Sequence, residues 1–441
     1  MKQLSLIAVL VIGANVLALK GANAQATGDY RSAVSTGLWA TAASWERFNG
    51  STWVTAPSAP TTTDGAINIL NANTISLGAT TSIDQLTVDS GGQFTVNSGV
   101  AWTLANSAVP GFDLTVSGTV LNSGGTITIG SGATWTVLSG GTYIHNTTSG
   151  ISTPLTAATL ATGSNFIYRG SSTLVPAASV SGRTYYNLSF DSTSGSWTTG
   201  AFSGSGIFTV NGDLTVGTGV SVNFGTYTGT FSTNGNVSIS GTLGTNTAAA
   251  GAASFTIASG KALSVASGGT LNMGSGKTVT IASGGSLTGA GTLSGLIAMN
   301  GTLSPGTAGP GTLTLGASTL TLSSTSAFAF DLGTSADLIS LTGGTLALGS
   351  GVIDFSDFTF TPGAGFTDTI YNLITGASSV TGSLGVGISG LVTAGYNGTI
   401  SLSGNNLILT VTAAVPEPHE YAIAIAGLLG VVIYRRRRRM V

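Results

Sequence analysis

Ser-Gly pairs recur at steps of eight residues along this chain, and this period limits the fold more than any other feature. The pairs fall in three clusters, which begin at Ser90 and Ser98; at Ser123, Ser131 and Ser139; and at Ser259, Ser267, Ser275 and Ser283. In the longest run, 255–286, each pair follows two apolar residues spaced two apart, such as Phe255 and Ile257. Residues two apart lie on one face of a β-strand, and Ser-Gly supplies a turn. Each octad is therefore predicted to form one short strand and one turn.

A single octad is too short to bury its apolar face, so octads must stack. Stacked units bury a continuous apolar core, and this is how a β-solenoid is stabilised. Two octads would make a coil of about 16 residues and three a coil of about 24, and the spacing leaves both open. A β-sandwich also places strands every 8 to 12 residues, but the constant period favours the solenoid. We predict an all-β protein, an elongated β-solenoid of the β-helix type.

The composition supports strands and excludes several kinds of site. Charged residues make up 6% of the chain, against roughly 25% in ordinary domains. Gly occurs 67 times, which disfavours helices. With no Cys, disulfides and thiolate ligands are impossible. Between Asp29 and Asp368 there are six basic and 13 acidic residues, so the net charge of the body is −7. No nucleic-acid partner is therefore expected.

The body divides into three parts by pattern. Residues 25–85 carry Trp39, Trp45 and Trp53 and are predicted to cap the open end of the solenoid, whose edge must be covered. The predicted repeats occupy 86–299. Within them, 143–207 is irregular and rich in Tyr and Phe, which indicates an insertion or a change of coil shape. Residues 300–414 are predicted to hold further strands and to close the fold.

Residues 1–24 have the pattern of a secretory signal peptide. Lys2 is followed by a mostly apolar stretch, and Ala22 and Ala24 are small residues at the positions a signal peptidase requires. The sequence predicts a signal helix, cleavage before Gln25, and export.

The C-terminus, 415–441, combines three elements in order. A break rich in proline is followed by 14 uncharged residues, 421–434, and then by five arginines. An apolar helix of that length spans about 21 Å, less than the roughly 30 Å of a bilayer core. The arginines nonetheless favour a transmembrane helix with the body outside.

This terminus resembles the PEP-CTERM sorting signal, which is also labelled an ice-binding-protein C-terminal domain. The matching residues are Val415, Pro416, Glu417, Pro418, Gly427, Leu428, Leu429, Gly430, Arg435, Arg436, Arg437, Arg438 and Arg439. The resemblance implies a Gram-negative bacterium, processing of the tail by a membrane-embedded exosortase, and an association with exopolysaccharide and biofilm matrix.

Residues 300–348 resemble the autotransporter-associated β-strand repeat of bacterial surface proteins. The similarity lies in GTLSPG from Gly301, in PGTLT from Pro310, and in Asp337 before an apolar strand. It implies passenger-type strands only, because the segment after Ser350 is too short for a membrane barrel.

Groups that could perform chemistry are sparse. His145 is the one histidine of the body and is interpreted as a surface or turn residue. The acidic pairs Asp331 with Asp337, Asp354 with Asp357, and Asp84 with Asp89 lack nearby cations, although glycosidic cleavage needs two carboxyl groups on one face. We predict no catalytic residue, no cofactor, no metal and no enzymatic activity.

The sequence thus predicts a structural or adhesive protein of the cell surface or extracellular matrix. Exosortase, the export machinery and the inner membrane are expected partners, and exopolysaccharide is a further candidate. One alternative is a carbohydrate-binding or polysaccharide-degrading β-helix protein that uses the tryptophans. Another is an ice-binding protein, because Thr-x-Thr pairs at Thr126, Thr312 and Thr319 place two hydroxyls on one strand face.

Overall fold

The computed structural model describes residues 25–244, 255–274, 276–307, 309–316, 319–414 and 418–438. Its body is a β-solenoid, which confirms the predicted fold class. Most turns contain three strands, and each strand pairs in parallel with the strand at the same position in the next turn. We call the three positions the first, second and third sides. The predicted signal helix and residues Ala22 and Ala24 lie outside the described residues.

The second side is one parallel sheet of 14 strands. These are Thr36–Leu38, Thr74–Leu77, Gln93–Val96, Thr119–Ser123, Thr142–Asn146, Asn165–Ser171, Asn187–Ser194, Leu214–Val216, Val237–Ile239, Ala262–Val265, Ser286–Gly289, Thr302–Pro305, Ala327–Leu332 and Phe358–Pro362. At a strand spacing of roughly 4.8 Å, this sheet extends over about 62 Å.

The first side is divided into three sheets. Tyr30–Ser32, Trp45–Phe48, Trp53–Thr55, Ile67–Ile69, Leu86–Val88, Leu114–Val116, Trp135–Val137 and Ala158–Leu160 form the first. Thr184–Tyr185, Phe208–Val210 and Phe231–Thr233 form the second. Phe255–Ile257, Thr278–Ile281, Leu296–Met299, Leu320–Leu322, Thr345–Ile353 and Ser379–Leu384 form the third.

The third side is divided into two sheets. Thr81–Ile83, Ala101–Leu104 and Thr126–Ile129 form the shorter. The longer contains Trp197–Thr198, Val220–Val222, Thr242–Leu243, Thr270–Asn272, Thr292–Ser294, Thr312–Gly316, Leu338–Leu341, Ile370–Thr375, Asn406–Ala413, Tyr396–Ser403 and Ser389–Thr393. The last three of these pair antiparallel and end the solenoid. The helical segments are Ala42–Ser44, Ser152–Thr156, Phe355–Asp357 and Pro418–Arg437.

Strand register decides the size of the coil. Phe255 pairs with Val279, and Leu263 pairs with Leu287, so one turn here takes 24 residues, or three octads. The predicted turns are also present, since Gly260 of one Ser-Gly pair has a φ of +72°. A positive φ is readily available to glycine. The octads of the sequence are therefore the sides of a three-sided coil.

The chain before the first complete turn folds back on itself. Tyr30–Ser32 pairs antiparallel with Trp45–Phe48, which in turn pairs antiparallel with Trp53–Thr55. Tyr30–Ser32 also pairs in parallel with Ile67–Ile69 of the first complete turn. This hairpin extends the first side outwards and covers its first edge.

The region 143–207 changes the coil shape, because the first and third sides are interrupted there and only the second side continues. We call the two second-side strands that cross this region, Asn165–Ser171 and Asn187–Ser194, the junction. Their register runs over seven residues of the first strand, with one irregularity before Ser171. Arg169 donates three hydrogen bonds to the carboxylate of Asp191 across the junction, and the shortest measures 2.7 Å. The rings of Tyr168 and Phe190 stack beneath it with centroids 5.3 Å apart.

The helix Pro418–Arg437 corrects one prediction. Among the residues that the structure describes, no helix is long and apolar enough to cross a membrane. The physical reason is length: the uncharged stretch 421–434 is bounded by Glu420 and Arg435, and 14 helical residues span only about 21 Å. The prediction of a transmembrane helix at this position is therefore not supported.

Candidate functional surface

His145, which the sequence analysis placed at the surface, lies in the core. Its side chain is fully buried, and its Nε2 is 3.1 Å from the carbonyl oxygen of Ser149. The ring packs against Tyr143 and Tyr168, with centroids 6.3 and 5.6 Å away. Burial lowers the pKa of His145 to about 4, although its backbone hydrogen bonds act in the opposite direction. A histidine so enclosed is part of the packing.

Asp337 acts as a hydrogen-bond acceptor for the main chain. Its buried carboxylate accepts the N–H of Gly311 at 2.7 Å on Oδ1 and the N–H of Asp331 at 2.8 Å on Oδ2. Burial raises the pKa of Asp337 even though these two donors lower it. Both oxygens are thus engaged, and the bond from Gly311 joins Asp337 to the preceding turn.

The second acidic pair, Asp354 and Asp357, caps the short helix Phe355–Asp357. Oδ1 of Asp354 accepts hydrogen bonds from the N–H and the hydroxyl of Ser356, and these bonds lower the pKa of Asp354. Oδ2 of Asp357 accepts the N–H of Asp354 at 2.8 Å, forming a reciprocal capping box. Burial raises the pKa of Asp357. Both carboxylates thus cap the beginning of this helix.

Asp84 and Asp113 are buried near the beginning of the solenoid. Asp113 accepts the N–H groups of Ser107 and Thr134 at 2.6 and 2.8 Å. Oδ1 of Asp84 has no hydrogen-bond partner in the described chain. Burial raises the pKa of Asp84, and the nearby carboxylate of Asp113 raises it further. For Asp89 too, burial raises the pKa.

Two of the three N-terminal tryptophans are unavailable to a sugar. Trp45 is fully buried and donates its indole N–H to the carbonyl of Trp39 at 2.8 Å. Trp39 is also buried, and its N–H points at the carbonyl of Pro60 at 3.3 Å. Trp53 is partly exposed, with the guanidinium of Arg31 4.5 Å above its ring. The first two therefore belong to the core.

The residues that match a sorting signal lie at or beyond the end of the solenoid. Val415, Pro416, Glu417 and Arg439 lie outside the described residues. The remaining ones are in the terminal helix or its last turn, and these are Pro418, Gly427, Leu428, Leu429, Gly430, Arg435, Arg436, Arg437 and Arg438. The apolar side chains from Ile425 to Tyr434 that the structure describes are exposed, Leu428 by 68%. The solenoid therefore does not bury these side chains.

The third side carries a feature that the sequence analysis missed. One outward position bears a hydroxyl in eight successive strands of the longer sheet. The residues, paired in register from each strand to the next, are Thr198, Ser221, Thr242, Thr270, Thr292, Thr314, Ser340 and Thr375. We call this set the hydroxyl column. Seven strand spacings of roughly 4.8 Å give it a length of about 34 Å.

Three properties describe the hydroxyl column as a surface, and its eight strands make it longer than the row of six outward hydroxyls on the second side, which runs from Ser189 to Ser304. Each of its side chains is exposed or half-buried. No hydrogen bond joins any of the eight hydroxyl groups to another side chain or backbone group in the described ranges. The eight strands that carry them contain no charged residue. The result is an uncharged line of groups that can both donate and accept hydrogen bonds.

The Thr-x-Thr pairs do not by themselves form an array. Thr126 and Thr128 lie on the shorter third-side sheet, and Thr314 of the second pair belongs to the hydroxyl column. Thr321 of the third pair lies on the first side. The pairs are therefore distributed over two sides of the solenoid.

Comparisons with known proteins add no assignment. Neither the protein-family models nor the curated proteins that were searched contain a match to this chain.

Proposed function

We propose that this chain is a non-enzymatic structural or adhesive protein that works outside the cell, on its surface or in an extracellular matrix. The observation that carries the proposal is the 14-stranded second side, which makes one continuous scaffold of about 62 Å. Such a shape suits a protein that spans a distance or presents a long surface.

The use of the acidic side chains also supports this proposal. In the described chain, Asp337 and Asp357 accept hydrogen bonds from backbone N–H groups. A glycoside hydrolase needs one carboxyl group to donate a proton and a second to act as base or nucleophile. A carboxylate that is already holding the backbone in place is poorly suited to either role.

We further propose that the terminal segment 415–441 is a sorting signal that an exosortase recognises and removes after export. The proposal rests on the sequence resemblance. It is consistent with the exposure of the apolar residues in the terminal helix, because the folded body leaves them accessible to another protein.

Intact-mass analysis after cell fractionation tests this proposed function. We expect mature protein in the surface or medium fraction, beginning at Gln25 and lacking Arg435 to Arg439. A variant with these five arginines replaced by glutamine should stay unprocessed while its body remains folded. Cytoplasmic protein with an intact leader would refute the extracellular role, whereas exported protein that keeps its arginines would refute only the exosortase step.

A further inference from the structure

The hydroxyl column has the regularity of a binding surface for a long ligand. Its hydroxyls repeat at the strand spacing of roughly 4.8 Å, which is close to the advance of one pyranose ring in an extended glycan. Backbone hydrogen bonds to the neighbouring strands hold the residues of the column in place, so little conformational entropy is lost when a ligand binds. A chain of sugars lying along the solenoid axis would meet one hydroxyl per ring.

The neighbouring outward position indicates that the ligand is linear. This position lies two residues after the hydroxyl column in each strand. In three successive strands it is occupied by Asn272, Ser294 and Gly316. The residue type at this position therefore changes from strand to strand, and on this side of the longer sheet the hydroxyl column is the regular row. A two-dimensional lattice such as an ice plane needs regular groups in both directions, whereas a single polymer chain needs only one line.

The charge of the surface indicates that the ligand is neutral. The eight strands of the hydroxyl column carry no Asp, Glu, Lys or Arg. An anionic polysaccharide would find no cation on this side, while the acidic body, with a net charge of −7, would repel it. Threonine also places a methyl group beside each hydroxyl, which can contact the C–H faces of sugar rings.

We propose that the hydroxyl column binds an extended, uncharged polysaccharide that lies parallel to the solenoid axis. This inference rests on the proposed function and deepens it, because it assigns the adhesive surface and the chemical class of its partner. Each hydroxyl contributes weakly, and eight in register act together along one polymer. Binding should therefore increase steeply with the length of the glycan.

Removal of three central hydroxyls tests the proposal. The variant Thr270→Val, Thr292→Val and Thr314→Val keeps the β-branched shape that suits a strand and replaces each hydroxyl with a methyl group. The full chain is mixed with insoluble cellulose, and bound protein is measured by sedimentation and by retention in gels containing a soluble neutral glucan. We expect the variant to bind at least tenfold more weakly than the wild type.

The matched control carries the same change on another side. Thr256→Val, Thr280→Val and Thr321→Val remove three outward hydroxyls from the first side, where Ala298 interrupts the row. This control should bind like the wild type, and equal melting temperatures of both variants would show that the fold is retained. Equal weakening of both variants would overturn the assignment to the third side.

Further outcomes would overturn the proposal itself. These are an absence of binding by the wild type to any neutral glucan, stronger binding to the anionic polymer alginate, and shaping of ice crystals without glycan binding. Each would leave the proposed function standing if the protein is still found outside the cell, since location is measured separately. Glycan binding by a protein that is confined to the cytoplasm would support the binding surface and refute the proposed extracellular role.

Discussion

Acidification should destabilise the solenoid through His145, which is buried in its neutral form. The folded pKa is about 4, whereas an exposed histidine titrates near 6.5. Between these values the unfolded chain binds a proton that the folded chain does not, so stability falls as the pH falls. The linkage relation gives a loss of about 2 kcal/mol from pH 7 to pH 5 and about 3 kcal/mol from pH 7 to pH 4.

The measurement is urea unfolding at pH 7 and pH 5, followed by near-ultraviolet circular dichroism of the tyrosines around His145. The control is His145→Gln, which does not titrate and keeps an N–H donor for the Ser149 carbonyl. Other groups act with opposite sign: burial raises the pKa of Asp84 and Asp337, so these carboxyl groups favour the folded state as the pH falls. The difference between wild type and variant isolates the histidine, and identical pH dependence of the two would refute the reasoning.

Five further substitutions test the packing of the coils by their effect on folding and on the free energy of unfolding. Asp337→Asn leaves one backbone donor without a carboxylate acceptor, and we expect a cost of about 1–3 kcal/mol, measured by urea unfolding. Gly289→Ala should prevent a soluble fold, since φ is +121° and a Cβ would overlap a backbone carbonyl; Gly260→Ala, with open space around it, should cost only about 1–3 kcal/mol. Leu287→Ala in the core should cost about 2–5 kcal/mol, and thermal melting should show little change for the half-exposed Leu296→Ala.

The sequence was sufficient to predict the strands and turns of the solenoid, because both depend on local chemistry. The octads of 255–286 correspond to four successive strands, from Phe255–Ile257 to Thr278–Ile281. The number of octads in a coil was not predictable. It depends on which strand pairs with which, and an eight-residue period is compatible with two-sided and three-sided coils alike.

The hydroxyl column was not predictable from the sequence, because the number of residues in one turn of the solenoid varies. Phe255 and Val279 are separated by 24 residues, but Val279 and its next partner Ile297 are separated by 18. Residues that align in space therefore have no constant spacing in the chain. Thr-x-Thr pairs lie along a strand, whereas the column runs across strands, so a search for pairs could not find it.

The interpretation of His145 as a surface residue gave its polarity more weight than its spacing of two residues from Tyr143. The strand Thr142–Asn146 follows the alternation only in part, since Tyr143, Ile144 and His145 are all buried. His145 lies on the same inward face as Tyr143, two residues earlier, and pairs in register with the buried Asn122 and Tyr168. The alternation thus indicates the face, but not the partners, because later parts of the chain bring Tyr168 and Ser149 to the ring.

The junction has a mechanical consequence for a molecule pulled from its two ends. Where the first and third sides are interrupted, Asn165–Ser171 and Asn187–Ser194 form the backbone ladder that links the turns, so the load crosses this place through one sheet instead of three. The Arg169–Asp191 ion pair and the stacked rings of Tyr168 and Phe190 reinforce that single sheet. We therefore expect a pulled molecule to bend at the junction, about the second side, which stays joined.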